Sequence, residues 1–90
     1  MTLKLKLEPI PHYLPQLYIY YMYDSEVCKN DQIKENEIIA KVIVEVTSEG
    51  QEMRRIIRRK EITNEDIINL CKRSISNLIM DNRIVFVEEF

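Results

Sequence analysis

The chain has 90 residues, of which 46% are hydrophobic and 31% are charged, and its formal net charge at pH 7 is −2. This length fits one domain, and the composition is typical of a folded globular protein, which excludes a disordered tail, a collagen-like chain and a low-complexity linker. The charge also disfavours a protein that binds nucleic acid mainly through excess positive charge. The sequence therefore predicts a single domain over residues 1–90.

Location is predicted from what the sequence lacks. No run of about 18 apolar residues occurs, so we expect no transmembrane helix and no membrane partner. Residues 2–8 alternate leucine with lysine and lack the continuous apolar core of a signal peptide. The two cysteines, Cys28 and Cys71, are too few and too far apart for a disulfide framework, which predicts free thiols and a cytoplasmic, intracellular protein.

Two predicted strands flank a proline-rich connection near the beginning of the chain. Residues 2–8 place leucines on one face and lysines on the other, which predicts an edge strand with one buried face. Three prolines within residues 9–15 predict a loop. Residues 17–23 are rich in β-forming and aromatic residues and are apolar on both faces. Such a strand is either covered on both faces by other parts of the chain or has one face in an interface.

A β-hairpin is predicted in the middle of the chain. Residues 24–36 are polar and predict a long loop, and residues 37–47 have the strongest strand pattern. Gly50, the single glycine, would form a two-residue turn with Glu49 and pair Ser48 with the residue after the turn. The resulting cross-strand pairs are chemically matched, with Val46 opposite Met53, Val42 opposite Ile57, Ile43 opposite Ile56 and Glu45 opposite Arg54. A helix that begins at Ser48 is the alternative, because Met53, Ile56 and Ile57 also have helical spacing.

An amphipathic helix and a last strand complete the predicted elements. Thr63 is the predicted N-cap, and the helix should end near residues 81–82. The apolar residues of its predicted buried face are Ile67, Cys71, Ile75, Leu78 and Ile79. Residues 83–90 predict a strand with apolar side chains on both faces.

The predicted elements define the fold class. They give an α+β domain with a mostly antiparallel sheet of about five strands in the order β-β-β-β-α-β, and one amphipathic helix packed on one face. A single helix covers only one face of a sheet. Because the other face is not polar enough to be simply solvated, we expect the chain to associate with itself, and a homodimer is the simplest form.

Five basic residues within seven positions are the first candidate binding feature: Arg54, Arg55, Arg58, Arg59 and Lys60. On a strand they lie on both faces and could contact an acidic protein surface or follow nucleic-acid phosphates. They could equally pair with the acids of the neighbouring strand and form a solvent-exposed face of the hairpin that binds no partner. The sequence leaves all three interpretations open.

Five tyrosines within eleven positions are the second candidate feature. Tyrosine offers a large rigid contact area with a polar tip and is enriched at protein interfaces. We predict that Tyr18, Tyr20 and Met22, which share one side of the second strand, form part of an oligomer or partner interface. Packing in a central strand is the alternative.

No pattern in the sequence predicts catalysis, a metal or a cofactor. His12 is the single histidine, and neither cysteine stands at zinc-ligand spacing from it or from the other. One glycine cannot form a glycine-rich phosphate-binding loop. We therefore expect no catalytic residues, no metal site and no cofactor.

The predicted function is a small non-enzymatic protein–protein interaction module. Isoleucine occurs fourteen times and alanine and glycine once each, a usage typical of AT-rich genomes. Together with the small size, this favours an accessory or inhibitory protein of a virus or mobile element that binds a protein partner as a homodimer. The alternative is a nucleic-acid-binding protein that uses the arginine-rich β-hairpin.

Overall fold

A computed structural model describes residues 1–8, 16–28, 32–80 and 83–88. The predicted proline loop at residues 9–15, which includes His12 and Tyr13, lies outside the described residues. The described elements are strands β1 (Leu3–Leu7), β2 (Leu17–Asp24), β3 (Ala40–Val46) and β4 (Gln51–Arg58), helix α1 (Asn64–Ser74), and strands β5 (Leu78–Ile79) and β6 (Val85–Glu88), with a 3-10 turn (Glu35–Glu37) before β3.

The six strands form one mostly antiparallel sheet. Strands β1 to β4 are antiparallel neighbours in chain order. Strands β5 and β6 both pair with β4 in parallel, and they lie one after the other along it. The predicted α+β class is therefore confirmed, and β5 is a short strand in addition to the five that were predicted.

Helix α1 covers one face of the sheet and forms the core with it. The side-chain oxygen of Thr63 accepts the backbone N–H of Asp66 at 3.1 Å, which confirms the predicted N-cap. Buried side chains of α1 and its C-cap pack on buried side chains of the central strands. The residues of this core are Ile62 just before the helix, Ile67, Leu70, Cys71 and Ile75 from the helix segment, and Met22, Ala40, Val42, Val44, Met53 and Ile56 from the sheet.

The helix ends seven residues before its predicted end. The last helical residue is Ser74, and Asn77 has a left-handed backbone with φ of 53°. Leu78 and Ile79, predicted on the helix, instead pair with the first two residues of β4. The physical reason is that β4 has a free edge there, so these apolar residues can stay against the core and also complete backbone hydrogen bonds.

The β3–β4 hairpin is confirmed, but its predicted register is wrong. Val42 lies opposite Ile56 and Val44 lies opposite Met53, so Arg54 is an extra residue in a β-bulge. The loop residues are Ser48 and Glu49, because Thr47 and Gly50 exchange backbone hydrogen bonds of 2.7 and 3.3 Å across them. The bulge turns Met53 and Ile56 to the same face although they are three positions apart, which explains their helix-like spacing.

The second face of the sheet, the far face, is turned away from α1. Residues in register across a sheet share a face, so the strand pairings show which residues lie on the far face.

In the part of the chain that the structure describes, no helix is long and apolar enough to span a membrane.

Candidate interaction surface

Two adjacent rows of paired residues cross the far face from one edge of the sheet to the other. Each row takes one residue from each of the strands β2, β3, β4 and β6 and one from β1 or the position directly after it. The first row contains Glu8, Ile19, Ile43, Arg55 and Val85, and the second contains Lys6, Tyr21, Lys41, Ile57 and Val87. The two rows therefore combine six apolar or aromatic side chains with four charged ones, Glu8, Arg55, Lys6 and Lys41.

The far face carries an excess of positive charge although the whole chain carries a net charge of −2. Five strand residues of this face are cationic and two are carboxylates, and a third carboxylate follows directly after β1. The cations are Lys4, Lys6, Lys41, Arg54 and Arg55, and the acids are Glu8, Glu45 and Glu52. The acidic excess of the chain consequently lies elsewhere.

Tyr21 is held in place by charged neighbours. Its hydroxyl donates a hydrogen bond of 2.8 Å to Glu8 Oε1, and the Lys41 amine lies 6.0 Å from the centre of its ring. Lys41 also pairs with Glu35 at 3.3 Å. Burial, together with the Glu8 carboxylate, raises the pKa of Tyr21 to about 12. The ring is thus fixed in one orientation, with a cation over it.

Arg54 bridges two carboxylates that lie directly opposite each other on β3 and β4. Glu45 and Glu52 are register partners, an arrangement of like charges that is unfavourable by itself. The Arg54 guanidinium bonds to Glu45, with Nε at 2.8 Å, and lies 3.2 Å from Glu52. Arg83 adds a second contact of 2.9 Å to Glu52, whose side chain is only 12% exposed. Arg54 therefore neutralises charges within the sheet.

Arg58 connects the end of β4 to the beginning of α1. Its guanidinium donates to the side-chain oxygen of Asn64 and to the backbone oxygens of Arg59 and Ile62. Glu88 of β6 lies 3.7 Å away. Because these contacts satisfy most of its donors, Arg58 stabilises the connection between the elements.

The remaining basic residues of the cluster divide between internal and exposed positions. Arg59 donates to the backbone oxygens of Ile38 at 2.8 Å and Asn36 at 3.3 Å, and so ties the segment before β3 to the end of β4. Arg55 and Lys60 are exposed. Their side chains make no hydrogen bond or ion pair with any residue that the structure describes. The five predicted basic residues are thus not gathered into one exposed patch, and Arg55 is the exposed one on the far face.

The predicted interface residues of β2 lie on the helix-covered face. Tyr18 and Tyr20 are partly buried against the core, and the Tyr20 hydroxyl donates to Gln51 Oε1 at 2.7 Å. Met22 has no exposed surface in the single chain. A role of these residues in an interface stays a prediction, but Met22 offers no surface to a partner.

The neighbouring residues Tyr21 and Tyr23 on the far face were not selected from the sequence. A cross-strand comparison could have found them. Met22 pairs with Leu5 and Ala40, whereas Tyr21 pairs with lysines on both sides. An apolar residue between apolar neighbours indicates the core, and an aromatic residue between cations indicates a surface.

Both thiols are free, buried and poorly suited to act as nucleophiles. Burial raises the pKa of Cys71 to about 12. The pKa of Cys28 is raised by desolvation and by the carboxylate of Glu37. Nucleophilic cysteines need the opposite shift, toward the thiolate. Within residues 1–8, 16–28, 32–80 and 83–88, no three His, Cys, Asp or Glu side chains are grouped to hold a metal ion.

Comparison with known proteins adds no relative. No protein-family model, curated protein or solved structure matches this chain. The far face, on which Arg55 is exposed, is the candidate interaction surface of the molecule.

Proposed function

We propose that this chain is a non-catalytic binding protein whose far face docks on an acidic surface of a partner protein. One observation supports this most directly: apolar and aromatic side chains form a strip across the sheet that also contains charged side chains, more of them cations than carboxylates. Interfaces typically combine an apolar centre with a charged rim that matches the charge of the partner. The exposed and unpaired Arg55 stands in this strip between Ile43 and Val85.

A protein partner fits this face better than single-stranded nucleic acid. Base recognition on a sheet needs aromatic rings that are free to stack. The ring of Tyr21 has the Lys41 amine over it, and its hydroxyl is bound to Glu8. The other apolar residues of the two rows, Ile19, Ile43 and Ile57 among them, are aliphatic. Such side chains pack well on apolar protein groups and provide no stacking surface.

The proposal includes the biological setting expected from the sequence. An intracellular accessory or inhibitory protein of a virus or mobile element acts by occupying a surface on another protein, which requires no catalytic group. The residue usage typical of AT-rich genomes and the small size support this setting. Arg58 and Arg59 take part in it only indirectly, because their internal contacts maintain the shape of the sheet.

A methyl-NMR titration tests the docking face directly. Isoleucine methyl groups are suitable probes because Ile19, Ile43 and Ile57 lie on the far face, whereas Ile56 and Ile67 are fully buried in the core. The probe ligands are a synthetic peptide that alternates glutamate with leucine and a single-stranded oligonucleotide. We expect the peptide to shift the far-face methyl signals and leave the core signals in place, and we expect the oligonucleotide to shift neither set.

Two charge-reversal variants provide the matched comparison. Arg55→Glu changes the far face, and Lys60→Glu makes the same change at an exposed position outside it. We expect Arg55→Glu to weaken peptide binding at least tenfold and Lys60→Glu to leave it within twofold. Equal binding by both variants, or far-face shifts caused by the oligonucleotide and not by the peptide, would contradict the proposal.

A further inference from the structure

Strand β6 is an apolar strand at one edge of the sheet. Among the described strands it pairs only with β4. Val85 is 46% exposed and projects on the far face, and Phe86 is 42% exposed and projects on the helix side. An edge strand presents unpaired backbone donors and acceptors, so apolar side chains on both of its faces make it a template for another strand.

The opposite edge of the sheet is protected from such pairing. Strand β1 alternates leucine with Lys4 and Lys6, and charged side chains, lysine above all, are a common defence of edge strands. Strand β6 contains neither lysine nor proline. Its one charged residue, Glu88, lies 3.7 Å from Arg58 of the same chain. The two edges are therefore unequal, and among the residues that the structure describes no strand covers the outer edge of β6.

We infer that β6 pairs antiparallel with β6 of a second copy and makes this chain a homodimer. A two-fold axis perpendicular to the sheet passes between the two Phe86 residues. In this register Phe86 lies opposite its counterpart, Val85 lies opposite Val87 of the second copy, and Glu88 lies opposite Ile84. Each residue meets one on the same face of the joined sheet, because the paired positions have equal parity.

Charge and symmetry favour a second copy as the occupant of this edge. The proposed register brings no like charges together, whereas a shift of two positions along each strand would place Glu88 opposite Glu88. The aromatic pair at the axis adds a favourable cross-strand contact. Each chain has one β6 edge, so the pairing closes at two copies and leaves no further edge of this kind.

The dimer also extends the far face. Val85 and Val87 end the two rows that cross this face. Pairing of β6 continues both rows into the second copy and joins two far faces into one surface. The inference does not depend on the proposed partner, because the contact lies along the edge and not on the face that docks.

Sedimentation analysis of the isolated chain tests the dimer. We expect twice the chain mass of 10.8 kDa for the natural protein. Phe86→Lys places two cations together at the axis and should reduce the mass to that of one chain. Leu7→Lys is the matched control, since Leu7 is 43% exposed on the same side of the sheet but on the β1 edge. It should remain dimeric, and circular dichroism should show that both variants are folded.

A cross-linking variant gives a positive readout that does not depend on a loss of association. Phe86→Cys brings two thiols to facing positions of an antiparallel pair, where Cα atoms lie about 4.5–5.5 Å apart, within the range of separations in disulfides. Mild oxidation should convert this variant to a covalent dimer on a non-reducing gel, and Leu7→Cys should remain a single chain. A monomer at every concentration would overturn the inference, as would a dimer that survives Phe86→Lys or is lost with Leu7→Lys.

Discussion

Gly50 stands where the backbone of Asn77, between α1 and β5, leaves no room for a side chain. Its φ of 151° lies in a region that L residues rarely adopt. A Cβ atom added there would lie 2.3 Å from the carbonyl oxygen of Asn77 and 3.1 Å from the Asn77 Cβ. The same oxygen accepts the backbone N–H of Gln51 at 3.0 Å. Because the crowding atom belongs to the backbone, rotation of a side chain cannot relieve the contact.

The cost of replacing Gly50 follows from these contacts. Holding a non-glycine residue in such a conformation costs about 1–3 kcal/mol. Displacing Asn77 enough to admit a Cβ also breaks its hydrogen bond to Gln51, which is worth about 1 kcal/mol. Together these give a loss of about 2–4 kcal/mol from a total that is typically about 5–15 kcal/mol. For a domain of this size, we expect the melting temperature to fall by about 10–30 °C.

Urea and thermal unfolding of three variants separate the cost of the backbone conformation from the cost of the close contact with Asn77. Gly50→Ala and Gly50→Asn should be destabilised alike, because both add the same Cβ. Glu49→Ala, at the exposed adjacent loop position, should change stability by less than about 0.5 kcal/mol. If Gly50→Asn has a free energy of unfolding close to that of the natural protein, the close-contact argument is refuted. Asparagine relieves only a requirement for a left-handed backbone and still adds the Cβ atom.

Three further predictions concern charges and thiols. Arg54→Met should lower the free energy of unfolding by about 1–3 kcal/mol in urea titrations, because it leaves the mostly buried carboxylate of Glu52 with one cation fewer; the adjacent, exposed Arg55→Met should cost less than about 0.5 kcal/mol. The free energy of unfolding should fall as the pH rises from about 10 toward 12, because tyrosine in the unfolded chain ionises near pH 10 while Tyr21 in the folded chain keeps its proton up to a pKa of about 12. Tyr21→Phe should lessen this fall. Cys71, fully buried with its pKa raised to about 12, should react with iodoacetamide at pH 8 only as fast as the protein unfolds, and a fast reaction without unfolding would contradict the burial.

Local sequence signals predicted most of the elements but not where they end. The capping pattern at Thr63 located the beginning of α1, since a cap depends on only a few adjacent residues. The end of the helix depends on a distant partner. Leu78 and Ile79 continue the helical apolar spacing, yet they leave the helix because the edge of β4 accepts them. Periodicity along one segment does not report the free edge of another strand.

The register of the hairpin shows a related limit. The predicted pairing assumed two regular strands, in which each residue has one partner. The bulge at Arg54 breaks this rule and brings Met53 and Ile56 into the core together. Apolar residues three apart on a strand are ambiguous between a helix and a bulge, and only the packing of the opposite layer decides between them.

The same bulge determines which basic residues remain for binding. It places the consecutive residues Arg54 and Arg55 on one face, where the first is used to neutralise carboxylates and the second stays exposed. The density of charge along the sequence therefore suggests more binding residues than the folded chain exposes on this face.

Arg55 is also the register partner of Val85 on β6, so the docking face and the dimer edge meet at this pair. Substitutions of Val85 would disturb both, whereas Phe86 projects on the helix side and isolates the dimer contact. We therefore expect the monomeric Phe86→Lys variant to bind the peptide still, but more weakly than the natural dimer, because only the dimer offers two copies of the far face in one bivalent surface.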